Sequence, residues 1–161
     1  MIPVLYPANS TSFTTFGLGT LTDTISCEVT EERNGVFECI LKYPITGQHY
    51  KLIAKERLIK AKPNDTGEPQ AFRIYRITKP LNGVVTVYGQ HISYDLANVP
   101  VMPFSVESRS PALLLNQILA GDSRFTGWTD YSEAKEFSVT TPKSVRACLG
   151  GTEGSMLSKW H

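Results

Sequence analysis

Residues 72–96 read FRIYRITKPLNGVVTVYGQHISYDL, and this stretch decides the architecture. Residues 72–78 and 84–90 are rich in β-branched and aromatic side chains, which suit a pleated, half-buried surface. Between them Pro80, Leu81, Asn82 and Gly83 supply turn chemistry. Neither arm has a helical period, so the segment predicts a β-hairpin. A three-residue loop of Leu81, Asn82 and Gly83, with Gly83 left-handed, sets Ile77 opposite Val87 and lays Tyr75 against Gly89.

Working toward the N-terminus, residues 25–50 (ISCEVTEERNGVFECILKYPITGQHY) carry a second hairpin whose register follows from parity. Ile25, Cys27 and Val29 are apolar and alternate with Ser26, Glu28 and Thr30; after the turn the apolar set is Phe37, Cys39, Leu41 and Tyr43. Both sets are odd-numbered. Cross-strand partners share a face, so each pair must sum to an even number, which excludes a two-residue loop in an unbulged hairpin. A loop of Arg33, Asn34 and Gly35, with Gly35 left-handed, satisfies the condition. It sets Glu32 opposite Val36, Val29 opposite Cys39 and Cys27 opposite Leu41. Cys27 and Cys39 then lie close on one face, not directly opposed, and are predicted to be free thiols.

The first hundred residues read as short strands broken by turns, the pattern of an antiparallel β-barrel or sandwich. Pro100 and Pro103 mark a change, and two helices follow. Ser110 and Pro111 start one that carries Leu113, Leu114, Leu115, Ile118 and Leu119 and stops at Gly121. Thr141 and Pro142 start a shorter one ending near Gly150 and Gly151. The expected fold is mainly β with α+β: an N-terminal barrel domain over 1–100 and a partial α+β domain over 101–161. Residues 99–104, VPVMPF, are apolar but hold two prolines, so they cannot be a central strand. Either a subunit interface or a buried connector accounts for them.

With 161 residues, 41% of them hydrophobic, the chain can bury a sizeable core. Sixteen basic against fifteen acidic residues give no dense basic patch for nucleic acid. No run approaches the roughly 18 apolar residues of a membrane span, and no signal-peptide pattern opens the chain, so synthesis and retention in the cytosol are expected. Cys27, Cys39 and Cys148 are too widely spaced for a zinc motif and read as buried thiols.

Residues with catalytic potential have simpler readings. His91, Ser93 and Asp95 can be written as a triad, but no Gly-x-Ser-x-Gly elbow is present. His91 then ends a strand and Asp95 flanks a turn; His49 and His161 are the other histidines. Glu31 and Glu32 are adjacent on a strand and point to opposite faces, unlike a glycosidase pair. Glu56 and Arg57 read as solvated loop neighbours. Gly17 and Gly19 lack the Lys-Ser or Lys-Thr of a phosphate loop and read as a turn. Phe72, Tyr75 and Tyr88, with Arg73, Arg76 and Lys79 nearby, suit strand packing better than base stacking. No catalytic residue, metal ligand or cofactor site is predicted.

The two hairpin segments, with IPVLY at 2–6 and LGGTEGS at 149–155 as outer limits, resemble the N-terminal region of phage minor structural proteins. These are prophage tail proteins, often labelled prophage endopeptidase tail or tail-associated lysin. The resemblance implies a structural component of a siphophage or prophage tail tip, the baseplate hub. In that family a homotrimer uses a barrel related to the tail-tube fold to build a ring that continues the tube. An α+β domain and a second barrel follow; here 1–100 match the first barrel and 101–161 the start of the α+β domain. Docking on the distal tail protein and other tail-tip proteins, DNA as passing cargo, and downstream domains that touch the cell envelope are implied as well. The place of action is the virion tail tip, after synthesis in the bacterial host cytoplasm. Any peptidoglycan hydrolase would lie in downstream domains, so the chain itself is expected not to be an enzyme. The alternatives are a cell-wall endopeptidase, or a carbohydrate-binding module. The module requires exposed Trp or Tyr on a concave sheet, and Trp128 and Trp160 fall outside the barrel region.

Overall fold

The computed structural model describes residues 1–32, 35–64, 66–150 and 155–160. The chain divides into two compact units, Met1–Ile92 and Ser93–His161. Seven strands form the first: β1 (Val4–Tyr6), β2 (Gly19–Thr20), β3 (Ser26–Glu31), β4 (Phe37–Pro44), β5 (Leu58–Ala61), β6 (Gln70–Ile77) and β7 (Val84–His91). They make one sheet in the order β2-β1-β5-β6-β7-β4-β3, with every neighbouring pair antiparallel. The sheet curls into a half-barrel. Leu5, Leu21, Leu41, Tyr43, Ile59, Phe72, Ile74, Val85 and Val87 belong to its buried core.

Alternation builds this core. Along β4 the odd residues Cys39, Leu41 and Tyr43 are buried, while Glu38, Ile40 and Lys42 face the other way. β7 repeats the pattern with Val85, Val87 and Gly89. The β3–β4 register matches the parity argument: Val29 pairs with Cys39, Cys27 with Leu41, and the Glu32 amide donates to the Val36 carbonyl at 2.8 Å. Arg33 and Asn34 of the predicted loop lie outside the described residues. Gly35 is the described residue of that loop. Its amide donates to the Glu32 carbonyl at 3.0 Å, and a Cβ on it would come within 2.8 Å of the Glu32 Cβ. Crowding by that side chain is one reason for glycine there.

The β6–β7 hairpin forms with Ile77 opposite Val87. Its loop is shorter than predicted. Asn82 (φ 50°) and Gly83 (φ 75°) are both left-handed, and Leu81 and Val84 exchange two backbone hydrogen bonds at 2.9 and 3.0 Å. This is the two-residue type I′ turn that Asn-Gly favours, because its twist matches the flanking strands. The lost loop residue is absorbed by irregular pairing at Thr78, whose amide and hydroxyl oxygen both bond Thr86. Farther along, a bulge between Ile74 and Arg76 displaces Tyr75 from the ladder and puts Ile74, not Tyr75, opposite Gly89. Phe72 is the group that crowds Gly89: a Cβ there would sit 3.0 Å from the Phe72 Cβ.

In the second unit, β8 (Pro100–Val101) pairs with β11 (Lys143–Ser144), and β9 (Phe104–Arg109) with β10 (Lys135–Val139). Three helices accompany them: α1 (Pro111–Leu119), α2 (Val145–Leu149) and α3 (Met156–Trp160). Leu114, Ile118 and Leu119 of α1 pack with Phe137, Val139, Val145 and Cys148 in a separate core. Ser110 occupies the N-cap position with extended backbone, and Pro111 is the first helical residue, as predicted. The later helix begins at Val145 and not beside Thr141. Lys143 and Ser144 are held extended by pairing with β8, and the Val145 amide donates to the Val99 carbonyl at 2.8 Å. Ser144 therefore becomes the cap, its Oγ accepting from the Ala147 amide at 3.2 Å.

Candidate functional site

His91 and Asp95, the titratable residues of the candidate triad, both have structural partners. The His91 ring, at the end of β7, stacks on Phe37 at 4.2 Å between centroids and meets the edge of Phe72 at 5.6 Å. Its Nε2 lies 3.2 Å from Gln70 Oε1. Asp95 accepts from Arg124 Nη1 at 2.8 Å, and Arg124 also grips Asp122 at 2.6 Å. The hydrogen bond from Arg124 holds the Asp122 carboxyl below the usual range. The bond to Asp122 raises the Arg124 pKa, so the guanidinium stays cationic between the two carboxylates.

Glu56 and Arg57 have a role that sequence reading missed. Glu56 is left-handed (φ 69°); its amide donates to the Ile74 carbonyl at 2.8 Å, and the Ile74 amide donates to the Arg57 carbonyl at 2.9 Å. Two residues oppose one, which is a β-bulge with its first residue in the conformation usually left to glycine. Arg73 Nη1 bonds the Glu56 carbonyl at 2.7 Å, and Arg57 bonds the Leu52 carbonyl. Glu31 and Glu32 are exposed beside the first hairpin loop.

Gly17 lies in the turn before β2, as expected, whereas Gly19 is the first residue of β2 and pairs with Leu5. Tyr6 and Lys60 organise the connection between β1 and β2: the Tyr6 hydroxyl donates to the carbonyls of Phe13 and Thr15, and Lys60 Nζ donates to the Phe13 carbonyl at 2.6 Å. Burial raises the Tyr6 pKa. Phe16 stands exposed on this tied-down loop. The distal edge of the His49 ring fills the space a Cβ on Gly19 would take, and its Nδ1 is buried without a hydrogen-bond partner. His161 lies outside the described residues.

Of the strand aromatics, Phe72 is fully buried. Tyr75 and Tyr88 lie 6.3 Å apart, half-buried, with the Arg76 guanidinium 3.7 Å above the Tyr88 ring. Tyr75 reaches Glu38 Oε1 at 3.4 Å, and burial raises its pKa. These rings are engaged in side-chain packing.

Surfaces suited to other macromolecules are clearer than any catalytic geometry. Among the described residues β3 pairs with β4 alone and ends the sheet order, which makes it an edge strand. In the second unit, Pro111, Leu115, Trp128, Tyr131, Leu149 and Leu157 help line an apolar groove of about 400 Å³. Trp128 is 84% exposed there. Asn116 holds the Trp128 loop, its amide group bonding the backbone of Gly127 at 3.3 and 3.5 Å. The apolar run at 99–104 divides: Val101 is buried and Val99 packs on the second core, while Met102 is 68% exposed. Among the described residues, no group of three or more His, Cys, Asp or Glu is placed to hold a metal ion. No described helix is long and apolar enough to cross a membrane.

No family model and no curated protein matches the sequence. The chain is similar in structure to the prophage tail protein gp18 from Listeria monocytogenes EGD-e, with a TM-score of 0.59 and 15% sequence identity. The match covers 88% of this chain and 42% of that one, so the chain spans under half the length of its structural neighbour. The likeness is one of fold, and at that coverage it takes in residues of both compact units.

Proposed function

We propose that this chain is a structural component of a phage or prophage tail, acting at the tail tip as the N-terminal part of a baseplate hub. The observation that carries the reading is the fold likeness to a prophage tail protein over 88% of the chain. The sequence resemblance of the two hairpins and the edge position of β3 support it. In this reading the half-barrel joins copies of itself into a ring that extends the tail tube and lets DNA pass. Distal tail protein docks on one side, and downstream domains meet the cell envelope on the other. The chain works by assembly and not by catalysis, since His91 and Asp95 have packing and ion-pair roles.

Immunogold labelling of virions induced from a lysogen carrying this gene tests the reading. Gold at the tail end distal to the head is the expected result; gold on the head, or none on particles, overturns it. Light scattering of the purified chain then locates the self-association. A concentration-stable mass near three times 17.8 kDa places the trimer contacts within these residues, and a monomer places them elsewhere in the hub.

A further inference from the structure

The half-barrel contains a pair of thiols that the proposed assembly role does not use. Cys27 on β3 and Cys39 on β4 are both free, and their Sγ atoms lie 3.5 Å apart. They are diagonal neighbours, Cys27 being opposite Leu41 and Cys39 opposite Val29. On its other side Cys39 faces Gly89 of β7, which has no side chain. Cys39 is fully buried and Cys27 half-buried on the strand that ends the sheet. Cys27 is thus the more exposed residue of the two, and the sulfur of buried Cys39 lies within hydrogen-bonding distance of its own.

We propose that Cys27 and Cys39 form a two-step oxidation site, in which a small peroxide reacts at Cys27 and Cys39 resolves the product into a disulfide that staples β3 to β4. In the first step the Cys27 sulfur attacks one oxygen of hydrogen peroxide. The O–O bond breaks, Cys27 becomes a sulfenic acid, and the departing hydroxide takes the thiol proton to leave as water. In the second step the Cys39 sulfur attacks Cys27 Sγ. The S–O bond breaks, the S–S bond forms, and the hydroxyl leaves as a second water with the Cys39 proton. Two thiols lose two hydrogens and two electrons, and one peroxide is reduced to two waters.

The electrostatics assign the order. The hydrogen bond from Cys39 lowers the Cys27 pKa, while the same bond and burial raise that of Cys39. Cys27 is therefore the better nucleophile toward peroxide, as thiolate character and exposure require. Cys148 sits buried in the other core, and desolvation raises its pKa. The staple would fasten an edge strand, the kind most prone to fraying or pairing elsewhere.

The test uses the whole chain carrying Cys148→Ser, exposed to hydrogen peroxide, quenched, and alkylated after unfolding. The expected result is a loss of about 2 Da, resistance to alkylation, and a Cys27–Cys39 cross-linked peptide that dithiothreitol reverses. Amide exchange along β3 slows in the oxidised form, and the melting temperature rises. Cys27→Ser in the same background leaves Cys39 a free thiol under the same exposure. Gain of oxygen mass with both cysteines unlinked overturns the proposal. Equal oxidation of Cys39 in the Cys27→Ser chain overturns the assigned order.

Discussion

Single positions in this chain are constrained for different physical reasons. At Gly83 the constraint is backbone handedness alone, because φ is 75° and nothing lies within 4 Å of an added Cβ. Gly83→Ala is expected to cost about 1 kcal/mol, read as a lower midpoint in urea unfolding. Gly17 adds a collision: φ is 54°, and a Cβ would stand 2.3 Å from the Leu5 carbonyl oxygen and 2.8 Å from the Tyr6 ring. Gly17→Ala is expected to cost at least twice as much, roughly 2–4 kcal/mol by the same measurement. Charge constrains Arg124, the shared cation of Asp95 and Asp122. Arg124→Gln leaves two carboxylates facing each other with that cation gone and is expected to lose on the order of 2 kcal/mol. Because Arg124 lowers the folded Asp122 pKa, its stabilisation is complete above the unfolded carboxyl pKa of about 3.9. It is lost as pH falls through the lower folded value. An acid titration of the wild type against Asp122→Asn checks this, the variant lacking that component of the acid-induced loss.

Among the elements, irregularities carry much of the information. The helix after β11 starts where strand pairing releases the chain, which makes Ser144 and not Thr141 its cap. Ser144→Ala is expected to cost about 1 kcal/mol and Thr141→Ala close to nothing, compared by thermal unfolding. At the β5–β6 bulge, Glu56 holds a left-handed conformation that an L side chain resists. Glu56→Gly is expected to stabilise the chain by about 1 kcal/mol, less whatever is lost with the 4.0 Å approach of its carboxylate to Arg73. An unchanged or lowered midpoint would show that the Glu56 side chain contributes more than its backbone costs. The bulge at Tyr75 has the same kind of consequence, since it decides that Phe72 and Ile74 pack inward while Tyr75 meets Tyr88 and Glu38.

Over the whole molecule, two cores with separate membership set the pattern of stability. Leu114 is fully buried in the second. Leu114→Ala is expected to cost about 3 kcal/mol and to speed amide exchange in α1, β9 and β10 while β6 and β7 keep their protection. Loss of protection in both units together would mean that they unfold as one. Both cores leave surface for partners, the first at the β3 edge and the second in the groove beside Trp128.

Side-chain alternation by itself determined the mainly β class and the β3–β4 register down to the Cys27 and Cys39 diagonal, and turn chemistry the left-handed Gly83. These are local matters, set by a period of two and by the conformational freedom of one residue. Only the tertiary structure decided the β2-β1-β5-β6-β7-β4-β3 order, in which β4 lies beside β7 across long sequence separation. It also decided the bulges at Glu56 and Tyr75, which leave no mark in composition. Ser144 became a cap because a distant strand claimed it, and the 3.5 Å between two sulfurs came from sheet geometry that parity could only bring near. Local chemistry chooses between helix, strand and turn; which strands meet, and how closely, is settled by the burial they achieve together.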